Sequence, residues 1–473
     1  MPDNIVDLFH KKTMHKHITF SLFFSFAGLF LLIGCDAAKP KKSNGDETGQ
    51  TESGQTDFGP SGPTLSVEAQ EAENIARYEN LEIPFIEIRH SSGVHSVNFS
   101  RDGKKIVTAA RNAHIFDADT GTELHKLEGH AVRVNSAVFS PDGRKVATVS
   151  GNIWTNAPND DRSVCIWDAN TGKELRKLVV PTSSGAGSGQ LAIYSAVFSP
   201  DSRKLLTVSS EGIARIWDAE SGAELRKIGE PGSNPKRVNY AVYSRDGKRI
   251  LTGCGAFISG DRSPISGTEP GSVIIWDAES GKELQRMEGH TRKVEFVAFS
   301  QDEKRIVSVS TGDDVRISIN AEQTVRIWDA ASGKELQKLK ARVLGSNDTD
   351  LALLVAFSPD ARRMLTRDTT WDVVSGKELH TWQATGGGEG NVRSALFSPD
   401  GKVILTAHGD CARIRDSGTG VELKKLGGRG LPGMGGDSHQ ARFAAFSSDG
   451  KKFVTAESSG SSGTNRIRIW TLE

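Results

Sequence analysis

The chain repeats one pattern eight times with the same internal spacing. In each copy an aromatic residue is followed nine positions later by a hydroxyl residue. The aromatic residues are Phe99, Phe139, Phe198, Tyr243, Phe299, Phe357, Phe397 and Phe446. The hydroxyl residues are Thr108, Thr148, Thr207, Thr252, Ser308, Thr366, Thr406 and Thr455. A repeat at fixed register indicates stacked identical units, although 473 residues could hold several unrelated domains.

The second copy shows the local structure of the repeat. Its four strand-like stretches are Ala137–Ser140, Lys145–Val149, Val164–Trp167 and Glu174–Leu178. Pro141-Asp142-Gly143 separates the first two stretches, and Asn170-Thr171-Gly172 separates the last two. Both separators have the composition of tight turns between strands. The repeat is therefore predicted to be a four-stranded antiparallel meander.

The third strand of the second copy ends in Trp167-Asp168, and in this dipeptide the repeat resembles the WD40 family. The resemblance covers roughly residues 83–473 and implies an all-β fold, an eight-bladed WD40-like β-propeller. Seven blades are the alternative, because two copies are irregular: four residues separate Thr366 from Trp371, and Arg415 replaces the tryptophan. The last copy lacks a fourth strand, so we expect Ile83–Ile88 to supply it and close the ring.

WD40 blades often contain a buried network of histidine, serine or threonine, aspartate and tryptophan. The resemblance implies such a structural tetrad in the second copy, formed by His130, Thr148, Asp161 and Trp167. The fifth copy has His290, Ser308 and Trp328, with Glu322 at the aspartate position. Because the repeat places these groups inside sheets, we expect hydrogen-bonded core and no catalytic site.

The residues before the repeat predict export and lipid attachment. A basic stretch and the apolar residues 18–33 are typical of a secretory signal, and Leu32-Ile33-Gly34-Cys35 resembles the bacterial lipobox. This resemblance implies a lipoprotein signal peptide over 1–34 and lipidation of Cys35; an uncleaved signal anchor is the alternative. Residues 35–65 are predicted to be a disordered tether, and 66–82 a short helix. Translation could start at Met1 or at Met14.

Composition excludes several functions. Lysine plus arginine equals aspartate plus glutamate at 59 each, so no net charge favours nucleic acid. No cofactor, metal or nucleophile pattern appears, and the only Gly-x-Gly-x-x-Gly run, residues 428–433, lies between strands with no helix to face a phosphate. Cys165, Cys254 and Cys411 fall in different copies and are predicted to be buried free thiols. The sequence therefore favours a protein that is not an enzyme.

The two ends of the meander differ in how much their connections vary. We call the end with the first-to-second and third-to-fourth connections the constant rim, because its spacing does not change. At the other end, the variable rim, the distance from hydroxyl to third-strand end ranges from five residues to twenty-four. The longest insertions are Gly151–Arg162, Val179–Leu191, Gly255–Ser272, Thr311–Gln323 and Gly427–Gln440. Recognition usually lies on variable loops of a rigid scaffold, so we expect the partner to bind here.

Apolar and cationic side chains on these otherwise polar loops are the candidate interface residues. The apolar ones are Trp154, Phe257, Ile258, Leu344, Leu431 and Met434, and the cationic ones are Arg162, Arg262 and Arg342. The alternative for each is that it packs against its own blade. A closed ring without a free edge strand also favours a monomer.

Three functions are consistent with this organisation. The first is a membrane-tethered, non-catalytic protein-interaction scaffold on the extracytoplasmic side of the bacterial cell envelope, at the inner or the outer membrane. The second is a carbohydrate- or peptidoglycan-binding module, for which Trp154 and Phe257 would serve. The third is a propeller enzyme such as a lyase, lactonase or quinone-dependent dehydrogenase, which would rest on fold analogy alone.

Overall fold

The structure, a computed structural model, contains eight four-stranded antiparallel sheets. It describes residues 76, 78, 81–90, 92–150, 161, 163–180, 193–229, 237–255, 270–310, 323–341, 355–382, 392–408, 411–427, 439–459 and 465–472. The eight sheets confirm the all-β propeller with eight blades, and the irregular sixth and seventh copies both form complete blades.

Each blade is a meander whose first strand is nearest the ring centre. The first four blades contain β2 (Ser96–Phe99), β3 (Lys105–Ala109), β4 (Ala113–Asp117), β5 (Glu123–Leu127), β6 (Val134–Phe139), β7 (Lys145–Ser150), β8 (Ser163–Asp168), β9 (Glu174–Val179), β10 (Ile193–Phe198), β11 (Lys204–Ser209), β12 (Ala214–Asp218), β13 (Glu224–Ile228), β14 (Val238–Tyr243), β15 (Arg249–Cys254), β16 (Gly271–Asp277) and β17 (Glu283–His290).

The remaining four blades follow the same order, except that the outer strand of the eighth comes from the start of the described chain. They contain β18 (Val294–Phe299), β19 (Arg305–Ser310), β20 (Gln323–Asp329), β21 (Glu335–Ala341), β22 (Val355–Phe357), β23 (Arg363–Thr366), β24 (Thr369–Asp372), β25 (Glu378–Thr381), β26 (Val392–Phe397), β27 (Val403–His408), β28 (Ala412–Asp416), β29 (Glu422–Leu426), β30 (His439–Phe446), β31 (Lys452–Ser459), β32 (Asn465–Thr471) and β1 (Phe85–His90).

The core lies between neighbouring blades, where both faces of each sheet are covered. The second and third strands are almost continuously buried, as in β7 and β8, whereas the outer strand β9 is largely exposed. The first strands of neighbouring blades touch around the centre, and β2 contacts both β6 and β30. Single meanders bury little surface, so stacking supplies most of the hydrophobic stabilisation.

The ring closes by pairing between β1 and β32, as the sequence predicts. Their register runs from Phe85 opposite Trp470 to His90 opposite Asn465. At the same seam, Arg468 lies 2.8 Å from Glu457 and 3.3 Å from Glu87. The eighth blade therefore has a full outer strand, and its third strand has no open edge.

Repeated hydrogen bonds explain the constant spacing of the constant rim. In the second blade the Ser140 hydroxyl donates to Asp142 Oδ1 at 2.5 Å and accepts the Lys145 N–H at 2.9 Å. The same hydroxyl-to-aspartate bond occurs in all eight blades. In the next turn, the backbone N–H of Thr171 donates to Asp168 Oδ1 at 2.7 Å and lowers the pKa of that carboxyl. A lowered pKa means that this turn stabilises the fold near neutral pH and less so in strong acid.

The two irregular blades compensate locally for their sequence changes. In the sixth, β23 and β24 are joined by Arg367 and Asp368 alone, and Arg367 has a φ of 21°. In the seventh, the guanidinium of Arg415 lies 5.4 Å from the centre of the Trp382 ring and 3.1 Å from Glu422. The cation–π contact and the ion pair occupy the place where other blades have a buried indole.

The chain enters the ring at the constant rim. The carbonyl of Pro84 accepts the Thr471 N–H at 3.0 Å, and Leu472 N–H donates to Lys451, a residue of a constant-rim turn. Tyr78 and Leu81 pack on the cluster between the seventh and eighth blades. Of the predicted helix 66–82, residues Ala76 and Tyr78 are helical, and most of the rest lies outside the described residues, as do the predicted signal peptide 1–34 and tether 35–65. Among the described residues, no helix has the length and apolarity needed to span a bilayer.

The first prediction concerns turn strain at the constant rim. Ala361 has a φ of 55° at a turn position where five other blades have glycine, and Ser202 has a φ of 62°. Because a left-handed conformation costs a side-chain residue about 1 kcal/mol, Ala361→Gly should raise the free energy of unfolding by about 1 kcal/mol. Urea unfolding measures the change.

Ser202→Gly is the matched control. The Ser202 hydroxyl accepts the backbone N–H of Asp142 in the preceding blade at 3.0 Å, so the glycine variant loses a contact along with the strain. We expect a smaller gain or none. A loss of stability in Ala361→Gly would contradict the strain argument.

Candidate functional site

The structure brings the four predicted tetrad residues together in the second blade. His130 Nδ1 lies 2.9 Å from Asp161 Oδ2, and His130 Nε2 lies 2.7 Å from Thr148 Oγ1. The Trp167 indole N–H donates to the same threonine oxygen at 2.7 Å. Ser163, which the sequence analysis did not include, donates its hydroxyl to Asp161 Oδ1 at 2.5 Å.

The charge state of Asp161 orders the network. Burial alone would raise its pKa, but hydrogen bonds from His130, from Ser163 and from the Ala131 backbone N–H outweigh burial and hold the pKa well below the usual value. The Asp161 carboxylate accepts a hydrogen bond from the N–H at Nδ1 of His130. His130 Nε2 then accepts the Thr148 hydroxyl, and Thr148 accepts the indole N–H.

This network has the residue types of a hydrolase triad, but it is closed to substrate. The His130 side chain is 0% exposed and the Asp161 side chain 5%. The Thr148 oxygen is fully buried and already bonded to both His130 and Trp167. A nucleophile must be reached by the substrate, so the tetrad holds the third strand to the second and does no chemistry.

The other blades retain parts of the same network. The bond from indole to hydroxyl recurs in five other blades, at 2.7 to 3.0 Å. In the fifth blade His290 bonds Ser308 at 2.6 Å and Ser310 at 2.9 Å, whereas Glu322 lies outside the described residues. In the first blade Phe116 has no N–H to donate, and Thr108 Oγ1 lacks a hydrogen bond.

Buried arginines at a fixed position were missed from the sequence. They lie in the third strand, two residues before the tryptophan position, and are at most 6% exposed; they are Arg215, Arg326, Arg413 and Arg468. Each pairs with a glutamate, as Arg215 does with Glu211 at 2.6 Å and Arg413 with Glu422 at 3.2 Å. Their constant distance from the tryptophan position is the sequence signal that could have identified these arginines. These pairs satisfy buried charge between blades and are structural.

The predicted free thiols are confirmed. Cys165, Cys254 and Cys411 are buried and unpaired with one another. Burial raises the pKa of the Cys165 and Cys254 thiols to about 12, so both are inert. No cluster of three or more potential metal ligands occurs in the part of the chain that the structure describes.

The strand ends that flank the long insertions all belong to the variable rim. The insertion after Ser150 leads into Ser163, and Ser163 pairs with Val179, after which the next long connection begins. The candidate interface residues themselves lie outside the described residues. These are Trp154, Phe257, Ile258, Leu344, Leu431, Met434, Arg162, Arg262 and Arg342. Their role stays a prediction.

A ring of β-bulges surrounds the central channel near the variable rim. In six blades the pairing between the first and second strands skips one residue of the first strand. The skipped residues are all polar or charged: Asn135, Tyr194, Asn239, Glu295, Arg393 and Arg442. Each lies four positions before the repeat aromatic, a signal that the sequence analysis overlooked. Bulges re-aim side chains, and they concentrate at barrel rims and binding sites.

The bulge ring is electrostatically uneven. Burial first, and then the charges of Arg133 and Arg442, lower the pKa of nearby His95 to about 4, so this histidine is neutral at physiological pH. Elsewhere in the ring Glu295 is 1% exposed and lies 2.6 Å from Lys293 Nζ. The bulge ring thus combines two arginines, Arg393 and Arg442, with one buried carboxylate, Glu295. Asn239 joins neighbouring blades, because its amide donates to the carbonyls of Gly255 at 3.0 Å and Val294 at 3.1 Å.

A prediction follows for the tetrad. Thr148→Val removes the hydroxyl that joins His130 to Trp167 and leaves two buried polar groups without that partner. Thr207→Val in the third blade removes a hydroxyl that bonds only Trp217, at 2.9 Å. Each orphaned group costs roughly 1–3 kcal/mol, so Thr148→Val should lower the free energy of unfolding by about twice as much as Thr207→Val. Urea unfolding of both variants measures this, and equal losses would contradict the network.

The comparisons with known proteins agree with the fold. A family model described as WD domain, G-beta repeat, matches residues 85–116, 121–168, 180–218, 281–329 and 376–415. An uncharacterised WD repeat-containing protein of Synechocystis is 36% identical over 109 residues, covering 23% of this chain and 27% of that protein. Eukaryotic translation initiation factor 3 subunit I of Meyerozyma guilliermondii is 23% identical over 248 residues, covering 50% of this chain and 65% of that protein.

In both cases the match spans less than two-thirds of the relative. Among solved structures, the crystal structure of the computationally designed Ika8 protein is similar with a TM-score of 0.56 and 20% identity, covering 81% of this chain and 98% of that one. This likeness shows the fold alone. Together with the eight meanders and the repeated bond from indole to hydroxyl, the matches show that the chain belongs to the WD40-repeat family of β-propellers.

Proposed function

We propose that the protein is a non-catalytic scaffold that binds a protein partner through its variable rim. In this proposal the lipidated Cys35 tethers it to a membrane on the extracytoplasmic side of a bacterial cell envelope. The propeller is the rigid part, and the insertions of the variable rim together with the channel mouth are the binding part.

The ring of polar bulges is the observation that carries this proposal. Six blades place a polar or charged residue at the same height of the channel, on backbone that the sheets hold rigidly. The long insertions flank the same rim. A rigid polar centre surrounded by adaptable loops suits recognition of another macromolecule, because the ordering cost on binding falls on the loops alone.

The entry point of the chain supports the orientation. Pro84 and Leu472 lie at the constant rim, and Tyr78 and Leu81 pack on the body before the chain reaches Pro84. A tether that begins at Cys35 would then attach under the constant rim and leave the variable rim pointing away from the membrane. The predicted tether, residues 35–65, would still allow the body to move over a wide range.

The closed tetrad supports the absence of catalysis. The histidine, acid and hydroxyl that lie within hydrogen-bonding distance of one another are buried and mutually satisfied. In the described part of the chain, no metal-ligand cluster offers an alternative centre.

Replacement of two long variable-rim connections tests the binding face. Residues 256–270 and 428–438 would be exchanged for short glycine linkers, and partners would be captured by crosslinking in native membranes and identified by mass spectrometry. We expect the crosslinked partner to be lost while the unfolding midpoint stays close to that of the parent. A second variant, Arg393→Ala with Arg442→Ala, should weaken capture by about tenfold.

Arg89→Ala is the matched control, because the Arg89 side chain is 84% exposed on β1, the outermost strand of its blade and the one farthest from the inner strand β30. It should leave capture unchanged. Unchanged capture by the loop and bulge variants would contradict the assignment of the face.

Substitution of Cys35 tests the tether separately. Cys35→Ser removes the only thiol that precedes the propeller, and it should move the protein from the membrane fraction to the soluble fraction and abolish the mass of the acyl groups. Cys411→Ser, which alters a buried thiol, is the control and should stay membrane-bound. An unacylated Cys35 in the parent protein would contradict the proposal.

A further inference from the structure

The constant rim contains a cavity that the proposed scaffold function does not use. Its volume is about 290 Å³, and residues from all eight blades line it. Three positions of the repeat contribute: the residue before the repeat aromatic, the aromatic itself, and the residue two positions after it. The cavity thus opens at the constant rim of the central channel and reaches inward to Tyr240, Phe296 and Phe443, which directly follow three of the bulged residues.

The floor of the cavity is apolar. It is formed by the residues that precede the repeat aromatics, among them Val197, Val242, Ala298, Ala356, Leu396 and Ala445. Asn98 is the polar exception, and its amide N–H already donates to the carbonyl of Ala137 at 2.9 Å. An apolar cavity of this kind favours a hydrocarbon group over water.

The edge of the cavity has three kinds of residue: proline, arginine and, in the fifth and eighth blades, the uncharged polar residues Gln301 and Ser448. In four blades the residue two positions after the aromatic is proline, at Pro141, Pro200, Pro359 and Pro399. In the first and fourth blades it is arginine, at Arg101 and Arg245, and both residues are exposed. Neither guanidinium forms an ion pair with another described residue, although Glu303 nearby is engaged by Arg249 at 2.8 Å. Glu303 also lines the cavity and accepts the backbone N–H of Arg245, so the edge offers two exposed cations and one carboxylate already paired with Arg249 above an apolar floor.

We infer that this cavity binds a single-chain anionic amphiphile, an alkyl chain with a carboxylate or comparable head group. The chain would occupy the apolar floor, and the head group would lie at the edge near Arg101 or Arg245. The volume lies at the lower end of the roughly 300–1,000 Å³ typical of ligand pockets, which favours one alkyl chain over a two-chain lipid. The inference rests on the cavity alone and does not depend on the scaffold function or on the tether.

Titration of the purified full chain tests the inference. The chain would carry Cys35→Ser so that no acyl group of its own competes, and it would be titrated calorimetrically with sodium dodecanoate and with dodecyltrimethylammonium, both below their micelle concentrations. Dodecanoate should bind at about one per chain, at least about tenfold more tightly than the cationic amphiphile. Equal affinity for the two, or no saturable binding of dodecanoate, would overturn the inference.

Two variants locate the site. Val242→Trp fills the floor and should weaken dodecanoate binding by at least about tenfold. Arg101→Gln with Arg245→Gln should weaken it by about fivefold, and this loss should shrink as salt is raised. Binding that both variants leave unchanged would overturn the inference.

The controls use the same substitutions away from the cavity. Val374→Trp changes a valine that is 66% exposed, and Arg89→Gln changes an exposed arginine of β1. Neither should alter dodecanoate binding. If Val242→Trp does not fold, Ala445→Leu fills the same floor with a smaller side chain, and its unchanged binding would count equally against the inference. The variable-rim variants should lose partner capture and keep dodecanoate binding, so the two proposals can fail separately.

Discussion

Backbone pairing between β1 and β32 is the interaction on which the rest of the ring depends. It joins residues 85–90 to residues 465–471, nearly the whole described chain apart. Without it the eighth blade would expose the edge of its third strand, and the first and eighth blades would lose their shared packing. The buried ion pairs of Arg468 with Glu87 and Glu457 lie at this seam, so the closing strand also satisfies charge that would otherwise be buried alone.

In a ring closed in this way, the two rims differ in how well they tolerate insertions. At the constant rim every turn is held by an aspartate that accepts both a hydroxyl and backbone N–H groups, so an insertion would break several bonds at once. The variable rim has no repeated turn of this kind among the described residues, and there the chain tolerates insertions of any length that reaches the next strand. Because the turns of the constant rim are held rigidly, sequence variation accumulates at the variable rim, where we expect recognition to occur.

The central channel carries the same asymmetry in its side chains. Near the variable rim, bulges turn polar residues such as Arg393 and Glu295 out of the regular ladder. Near the constant rim the ladder is regular, and small or apolar residues such as Val242 and Ala356 face the cavity. One eight-fold scaffold thus offers two chemically distinct mouths, and the two proposals made above assign each mouth a different class of partner.

The sequence alone predicted eight blades, with seven as the alternative, and the closing strand, because both follow from residue spacing that strand geometry holds constant. The resemblance to the WD40 family implied the tetrad of the second blade, and the structure showed that the two irregular blades are complete. It also predicted the buried thiols from their positions in different blades. Only the tertiary structure revealed the bulge ring and the apolar cavity, since both require residues from blades far apart in sequence to meet at one axis. The arginine that replaces a tryptophan at position 415 makes the same point. Its partner Trp382 belongs to the neighbouring blade, and no local pattern indicates that contact.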